Sequence, residues 1–292
     1  MKKMISALVV LTAVSASAQE LKFGDLNYNT NQGEQYLTVD FSTFDSFYHQ
    51  DSTKITERSY LTTANYSYAF TDDLDVFAEI NYFFEDQMKG GGESYTISSF
   101  GNPAIGASYR VLDQKMFDYN FDIDVLTRQN LVTAKEGSST ANKFEGRSTY
   151  EVYGHFGRKW NEANEWRATL GMIYHADGEA KQQGTKYDQE SSTDLLFKVA
   201  YQYRPVNEFM MVVSAEALQV GEYEYGSDVK EDAHIDYTFG FMAKYLLQEN
   251  MTLNLTVKQS RLNDYDAEAG GINHDIRKRR FVTFGLGADF LF

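Results

Sequence analysis

Residues 279–292 read RRFVTFGLGADFLF and contain the pattern that decides the fold. Alternate positions form an apolar set (Val282, Phe284, Leu286, Ala288, Phe290 and Phe292) and a polar or small set (Thr283, Gly285, Gly287 and Asp289). Successive side chains of a β-strand point to opposite sides, so this alternation predicts a strand with one apolar face and one polar face.

The same alternation recurs in MFDYNFDIDVLTR (116–128) and HIDYTFGFMAKYL (234–246). It defines twelve segments in all: 35–48, 57–70, 74–85, 99–112, 116–128, 147–159, 166–177, 191–204, 208–220, 234–247, 251–262 and 279–292. Five connections are tight and six are longer and polar, a pattern typical of bacterial outer-membrane barrels. We therefore predict an all-β fold over residues 35–292, a 12-stranded antiparallel transmembrane β-barrel with short periplasmic turns and long extracellular loops. The alternative is a secreted β-sandwich, whose aromatic faces would meet a second sheet.

Composition is compatible with such a barrel and excludes several other classes of protein. The 292 residues carry a formal net charge of -15 and a mean hydropathy of -0.47, and none of them is cysteine. Disulfides and cysteine-based metal sites are therefore impossible, and nucleic acid is not an expected partner because its phosphates require a basic surface. In a barrel only one face of each strand meets lipid, so a negative mean hydropathy is no obstacle.

The N-terminus has the layout of a signal peptide. Lys2 and Lys3 precede an apolar run from Ile5 to Val14, and Ala16-Ser17-Ala18 forms a small-residue cleavage site. A membrane anchor helix is the alternative, although the run is shorter than the roughly 20 residues that span a bilayer. We expect residues 1–18 to be removed on export and residues 19–34 to form a periplasmic segment, either as a plug in the barrel mouth or as a flexible tail.

The final strand also resembles a known assembly signal. GADFLF is similar to the C-terminal sequence that the barrel assembly machinery reads, with Gly287, Phe290 and Phe292 at the matching positions. The resemblance implies the bacterial outer membrane as location. It also implies the assembly machinery, outer-membrane lipid and lipopolysaccharide as partners.

Two further stretches resemble a family of outer-membrane transporters associated with phenol degradation. They are YSYAFTDDLDVFAEINYFF (66–84) and SSFGNPAIGASYRVLDQ (98–114), the second with a Gly-x-Pro segment and a Tyr-Arg end. This resemblance implies passive transport of small solutes without specifying which solute.

The polar faces of the strands would line the lumen, where charge selects solutes. The candidate lumen residues are Glu79, Arg110, Asp118, Asp122, Asp124, Arg128, Glu151, His155, Arg167, His175, Lys198, Glu216 and Lys244. Twelve strands predict a narrow lumen, and Asp118, Asp122 and Asp124 on one strand predict that it is acidic and prefers cations. Pairing across the turn near residue 163 would place Glu151 opposite His175. Such pairs could equally well fill the barrel as a rigid structural plug.

The sequence gives weaker support to other functions. A barrel with a closed lumen could serve surface architecture or adhesion through its loops. A rim-site protease would use Asp122 and Asp124 with Asp232 and His234, a spacing that is common by chance. The histidines at 49, 155, 175, 234 and 274 have no metal-ligand spacing. We expect no enzyme activity, cofactor or metal.

Overall fold

A computed structural model describes residues 23–28, 30–51, 53–90, 93–131, 134–136, 146–182, 185–225, 229–269 and 272–292. The predicted signal peptide, residues 1–18, lies outside this part of the chain. The strands are β1 (Gln35–Gln50), β2 (Thr53–Thr71), β3 (Leu74–Gly90), β4 (Glu93–Phe100), β5 (Ala104–Leu112), β6 (Asn120–Arg128), β7 (Ala134–Glu136), β8 (Thr149–Asn161), β9 (Asn164–His175), β10 (Gly178–Gln182), β11 (Thr185–Gln189), β12 (Ser192–Val206), β13 (Phe209–Val220), β14 (Tyr223–Tyr225), β15 (Val229–Glu231), β16 (His234–Gln248), β17 (Met251–Leu262), β18 (Tyr265–Ala269) and β19 (Ile272–Leu291). One helical turn, α1 (Gln114–Phe117), separates β5 from β6. No helix in the described ranges is long and apolar enough to cross a membrane.

Twelve of these strands close into an antiparallel barrel, which confirms the predicted fold. They are β1, β2, β3, β5, β6, β8, β9, β12, β13, β16, β17 and β19, each hydrogen-bonded to the next in that order. The seam is the pairing of β1 with β19, with Tyr36 opposite Leu291 and Gln50 opposite Ile276. Closure leaves no unpaired edge, so the backbone groups can satisfy one another inside a bilayer.

The short strands extend the wall at the end opposite the tight turns. β10 pairs with β11, β14 with β15 and β18 with β19, so these loops rise as hairpins above the barrel rim. In outer-membrane barrels the end with long loops is extracellular and the end with tight turns is periplasmic.

The outer surface is apolar because the alternation in each strand places its aromatic and aliphatic residues outside. In β12, Leu195, Phe197 and Val199 are exposed, whereas the intervening residues are less so. The same outward alternation appears in β16. A band of this kind is what a barrel presents to lipid hydrocarbon.

The predicted start of the fifth barrel strand at residue 116 is wrong. The chain first makes α1 and then a left-handed residue, Asp118 (φ 66°), and β6 begins at Asn120. Gln114 fixes this turn: its backbone N–H donates to Asn120 Oδ1 over 2.8 Å, and its side-chain amide exchanges hydrogen bonds with the backbone of Lys159. The turn therefore delays the start of the strand to Asn120, whereas its end at Arg128 is as predicted.

The predicted pairing of Glu151 with His175 is also wrong, by two residues. His175 lies opposite Thr149, and Glu151 lies opposite Ile173. At the β8–β9 turn, Asn161 lies opposite Asn164. An irregularity between Lys159 and Asn161 shifts the pairing register of the two strands. Turn geometry sets the register of a hairpin, and this irregularity was not readable from the sequence.

Candidate functional site

The segment before β1 lies inside the barrel, at the end that carries the tight turns. We call residues 23–28 and 30 the N-terminal plug. Phe23, Asp25, Asn27 and Thr30 are all buried. Gly24 has a φ of 88°, and a Cβ there would lie 3.1 Å from Met210 Cε, so glycine suits both the backbone and the space.

An ion-pair cluster anchors the plug to the wall. Lys159 Nζ donates to Asp25 Oδ2 over 2.8 Å, and Arg204 Nη2 donates to Asp25 Oδ1 over 2.5 Å. The side chains of Asp25 and Lys159 are only 1% and 2% exposed. A carboxylate this deeply buried requires such partners, because an unpaired buried charge costs several kcal/mol.

Hydrogen bonds from the plug backbone complete the attachment. Glu165 accepts from the backbone N–H groups of Leu26 and Asn27, both over 2.7 Å, and from the Asn27 side-chain amide over 2.6 Å. Arg167 donates to the Leu26 carbonyl over 3.0 Å, and Arg110 donates to the Asn27 carbonyl over 3.1 Å. The plug is therefore held through its main chain as well as its side chains.

A cavity of about 730 Å³ lies in the lumen next to the plug, and its lining includes Gly24, Asp25, Leu26, Tyr28 and Thr30. Its titratable wall residues divide by strand. Asp75 on β3 and Asp124 on β6, with His155 on β8, form an acidic wall. The basic wall consists of Arg167 on β9, Lys198 on β12, Lys244 on β16 and Lys258 on β17, with Glu216 on β13 between them. Neighbouring strands follow one another around the barrel, so the two walls face each other.

Most of the candidate lumen residues are inside the barrel and are bound to one another. Arg128 bridges Glu79 over 2.5 Å and Glu151 over 2.8 Å. Arg110 pairs with Asp122 over 2.8 Å, and both are buried.

The histidines of the set are paired as well. His155 Nε2 lies 2.9 Å from Asp124 Oδ2, and its Nδ1 lies 2.9 Å from the Thr169 hydroxyl. His175 Nε2 lies 3.0 Å from Asp194 Oδ2.

The three aspartates predicted to form one acidic cluster do not form it. Asp118 lies in the turn after α1, its side chain is 61% exposed, and its ion-pair contact with Arg158 spans 3.9 Å. Asp122 is neutralised by Arg110, and Asp124 is bound to His155. The expected basis for cation preference is therefore missing at this strand.

Sequence reasoning missed the residues that hold the plug. Lys159, Glu165 and Arg204 lie beside tight turns, where charged side chains are ordinarily solvated. Asp25, the ion partner of Lys159 and Arg204, precedes the first strand, outside any alternating segment. Strand pairing places Lys159 opposite Glu165, and the entry of the plug brings Asp25 to Lys159 and Arg204.

The proposed assembly signal lies along the closing seam. The backbone N–H and C=O of Phe292 exchange hydrogen bonds with Gln35 over 2.8 and 3.0 Å. Gly287 lies against the carboxylate of Asp40, where a Cβ would overlap it. Phe290 and Phe292 stack with ring centroids 6.2 Å apart.

The extracellular loops hold exposed ion pairs. Lys186 bonds Glu179 over 2.8 Å, and Lys230 contacts Glu222 and Glu224. Hydrogen bonds to Glu222 and then Glu224 raise the pKa of Lys230. In the described residues, no group of three or more histidine and carboxylate side chains could hold a metal ion.

Comparison with solved structures supports the fold. An outer membrane channel from Pseudomonas putida F1 superposes with a TM-score of 0.65 at 12% identity, covering 94% of this chain and 100% of that one. The translocator domain of the autotransporter NalP from Neisseria meningitidis gives a TM-score of 0.51 at 9% identity, covering 91% and 90%. No protein-family model and no curated protein matches the sequence. The chain thus has the fold of outer-membrane barrels.

Proposed function

We propose that this protein is a passive channel of the bacterial outer membrane for small solutes. The observation that carries the proposal is a cavity of about 730 Å³, lined in part by charged side chains of both signs, inside a closed barrel whose outer face is apolar. A barrel built only for architecture would have no need of a charged space of this size. The similarity of the fold to that of an outer membrane channel supports the same reading.

The N-terminal plug is the element that would control this channel. It enters the lumen at the periplasmic end, and its attachment depends on Asp25, Lys159, Arg204 and Glu165. Since a solute must pass this segment to reach the periplasm, plug release or rearrangement would set the open fraction. Insertion into lipid with lipopolysaccharide, through the barrel assembly machinery, belongs to the same proposal.

A non-conducting barrel is the second candidate, and the buried attachment of the plug favours it. A planar-bilayer recording of the mature, refolded protein separates the two. Discrete current steps support the channel. If barrels shown to be folded by heat-shifted gel mobility stay silent, and a variant lacking residues 19–30 stays silent too, the channel proposal fails.

We assign no catalytic role to the lumen. Asp122 is buried against Arg110 near α1, at the periplasmic end of β6. His234 begins β16 at the opposite end, where its ring stacks on Tyr265 with centroids 4.5 Å apart. The residues that a rim-site protease would need to bring together are therefore separated by the length of the barrel.

A further inference from the structure

The basic wall of the lumen has cationic groups without ion partners. Lys244 and Lys258 make no ion pair within 4.0 Å with any described residue, and Lys198 reaches Glu216 only over 3.8 Å. Arg167 donates one hydrogen bond to the plug through Nη1, while its Nε is buried without a hydrogen-bond partner. Lys198 is within electrostatic reach of both Arg167 and Lys258. Like charges gathered in this way repel one another unless an anion lies between them.

The carboxylates of the lumen do not neutralise this wall. Asp25 is bound to Lys159 and Arg204, and Asp124 is bound to His155. Asp75 accepts a hydrogen bond from Thr30 over 2.7 Å on the facing side of the cavity.

Three carboxylates do come near the basic wall. Glu216 lies within it, and Asp40 on β1 is within electrostatic reach of Lys244 and Lys258. Asp124, although bound to His155, is also within electrostatic reach of Arg167. Four cationic side chains therefore share three neighbouring carboxylates, which leaves this side of the cavity positive.

We propose that the cavity beside the plug binds a small organic anion, a solute with one carboxylate held by Lys244 and Lys258, with the positive charges of Lys198 and Arg167 nearby. Amine and guanidinium donors are the groups that proteins use to bind carboxylates. A cavity of about 730 Å³ is in the range that holds a small organic molecule. Transport of the anion would follow from the proposed channel function, whereas its binding does not depend on conductance.

Binding is tested first, on detergent-solubilised barrel, by titration calorimetry with acetate as the anionic probe and ethylammonium as the cationic one. The double variant Lys244→Gln Lys258→Gln removes two charges of the wall. The matched control, Lys186→Gln, removes an exposed loop lysine that is paired with Glu179 outside the lumen. Even at the dielectric constant of water, one charge about 10 Å from the anion changes affinity about twofold, so the double variant should bind acetate at least fourfold more weakly.

The inference is overturned if acetate binds all three proteins equally, or if ethylammonium binds the unaltered barrel better than acetate does. Where acetate binds too weakly for calorimetry, NMR makes the same comparison. Binding is then measured as the change in the exchange-averaged chemical shift of acetate when the barrel is added. Loss of the acetate shift in the double variant but not in Lys186→Gln supports the site. No shift with any of the three barrels overturns it.

Reversal potentials in a potassium chloride gradient then separate this inference from the proposed function. An anion preference that falls in the double variant supports both. A cation preference that the two lysine replacements leave unchanged overturns the anion site while the channel stands. Acetate binding without any current supports the site and counts against the channel.

Discussion

Replacing Asp25 by asparagine should release the N-terminal plug from the barrel. The carboxylate is bound by Lys159 over 2.8 Å and by Arg204 over 2.5 Å, in surroundings that exclude water. Removing one partner of a buried ion pair costs about 3–5 kcal/mol, because the remaining charges stay buried without compensation. At 1.4 kcal/mol for each factor of ten, the docked fraction relative to the free one should fall by about two to three and a half powers of ten.

Cysteine labelling measures this release directly. The chain contains no cysteine, so Leu26→Cys introduces a single reactive thiol into the plug. A membrane-impermeant maleimide should label this thiol slowly in the otherwise unaltered barrel. The labelling rate should rise when Asp25→Asn is added, by less than the factor for the docked fraction, because Leu26 lines the cavity and is only partly buried while the plug is docked.

The control is Asp118→Asn, which removes an exposed carboxylate at the same end of the barrel. Surface replacements of this kind usually change stability by less than about 0.5 kcal/mol, so its labelling rate should match that of the Leu26→Cys protein. Equal labelling rates in all three proteins, each shown by heat-shifted gel mobility to be folded, would refute the ion-pair account of plug attachment. Glu165→Gln, which weakens the acceptor for the plug backbone, gives a second and independent test.

Three further predictions concern the seam and the rim. Deleting Phe292 removes the terminal aromatic and its backbone bonds to β1, so the protein should accumulate in the periplasm and be degraded; normal outer-membrane levels on cell fractionation would contradict the assembly-signal hypothesis. Gly287→Ala should lower the free energy of unfolding by about 1–3 kcal/mol, since its Cβ would overlap a carboxylate on β1, whereas Gly285→Ala, whose nearest contact is 3.6 Å, should leave the urea midpoint nearly unchanged. The hydrogen bond from His274, followed by one from a backbone N–H, lowers the pKa of Asp51. The loop contact should therefore persist above the usual aspartate range near pH 4 and be lost as pH falls through the lowered pKa, which NMR of the His274 ring would follow.

The fold was largely readable from the chain because a barrel in lipid imposes a strict period of two. An outward position must be apolar and an inward one can be polar. The polarity of a single residue, such as Phe197 or Lys198, therefore indicates which side of the barrel wall it faces. The tight turns were readable for a similar reason, since polar turn residues interrupt the alternation. Where local hydrogen bonds override the pattern, as Gln114 does before β6, the prediction of the strand start was wrong.

The sequence predicted which residues face the lumen, but not how their side chains are arranged into a site. Parity placed Arg110, Asp122 and Lys244 inside, but the sequence does not say which side chains meet across strands. The prediction of an acidic cluster was wrong for this reason: Arg110 and His155 come from neighbouring strands and bind two of its three members.

By itself, the sequence determined the class of fold, the strand number, the two faces of each strand and the closing role of the last one. These follow from local patterning against a lipid boundary, which acts on every residue separately. Only the tertiary structure decided which charged side chains pair with one another and which do not. The plug brings Asp25 to Lys159 and Arg204 across more than 130 residues of chain, and barrel closure gathers Arg167, Lys198, Lys244 and Lys258 on one wall. Electrostatic interactions depend on distance in space, and no pattern along the chain encodes that distance.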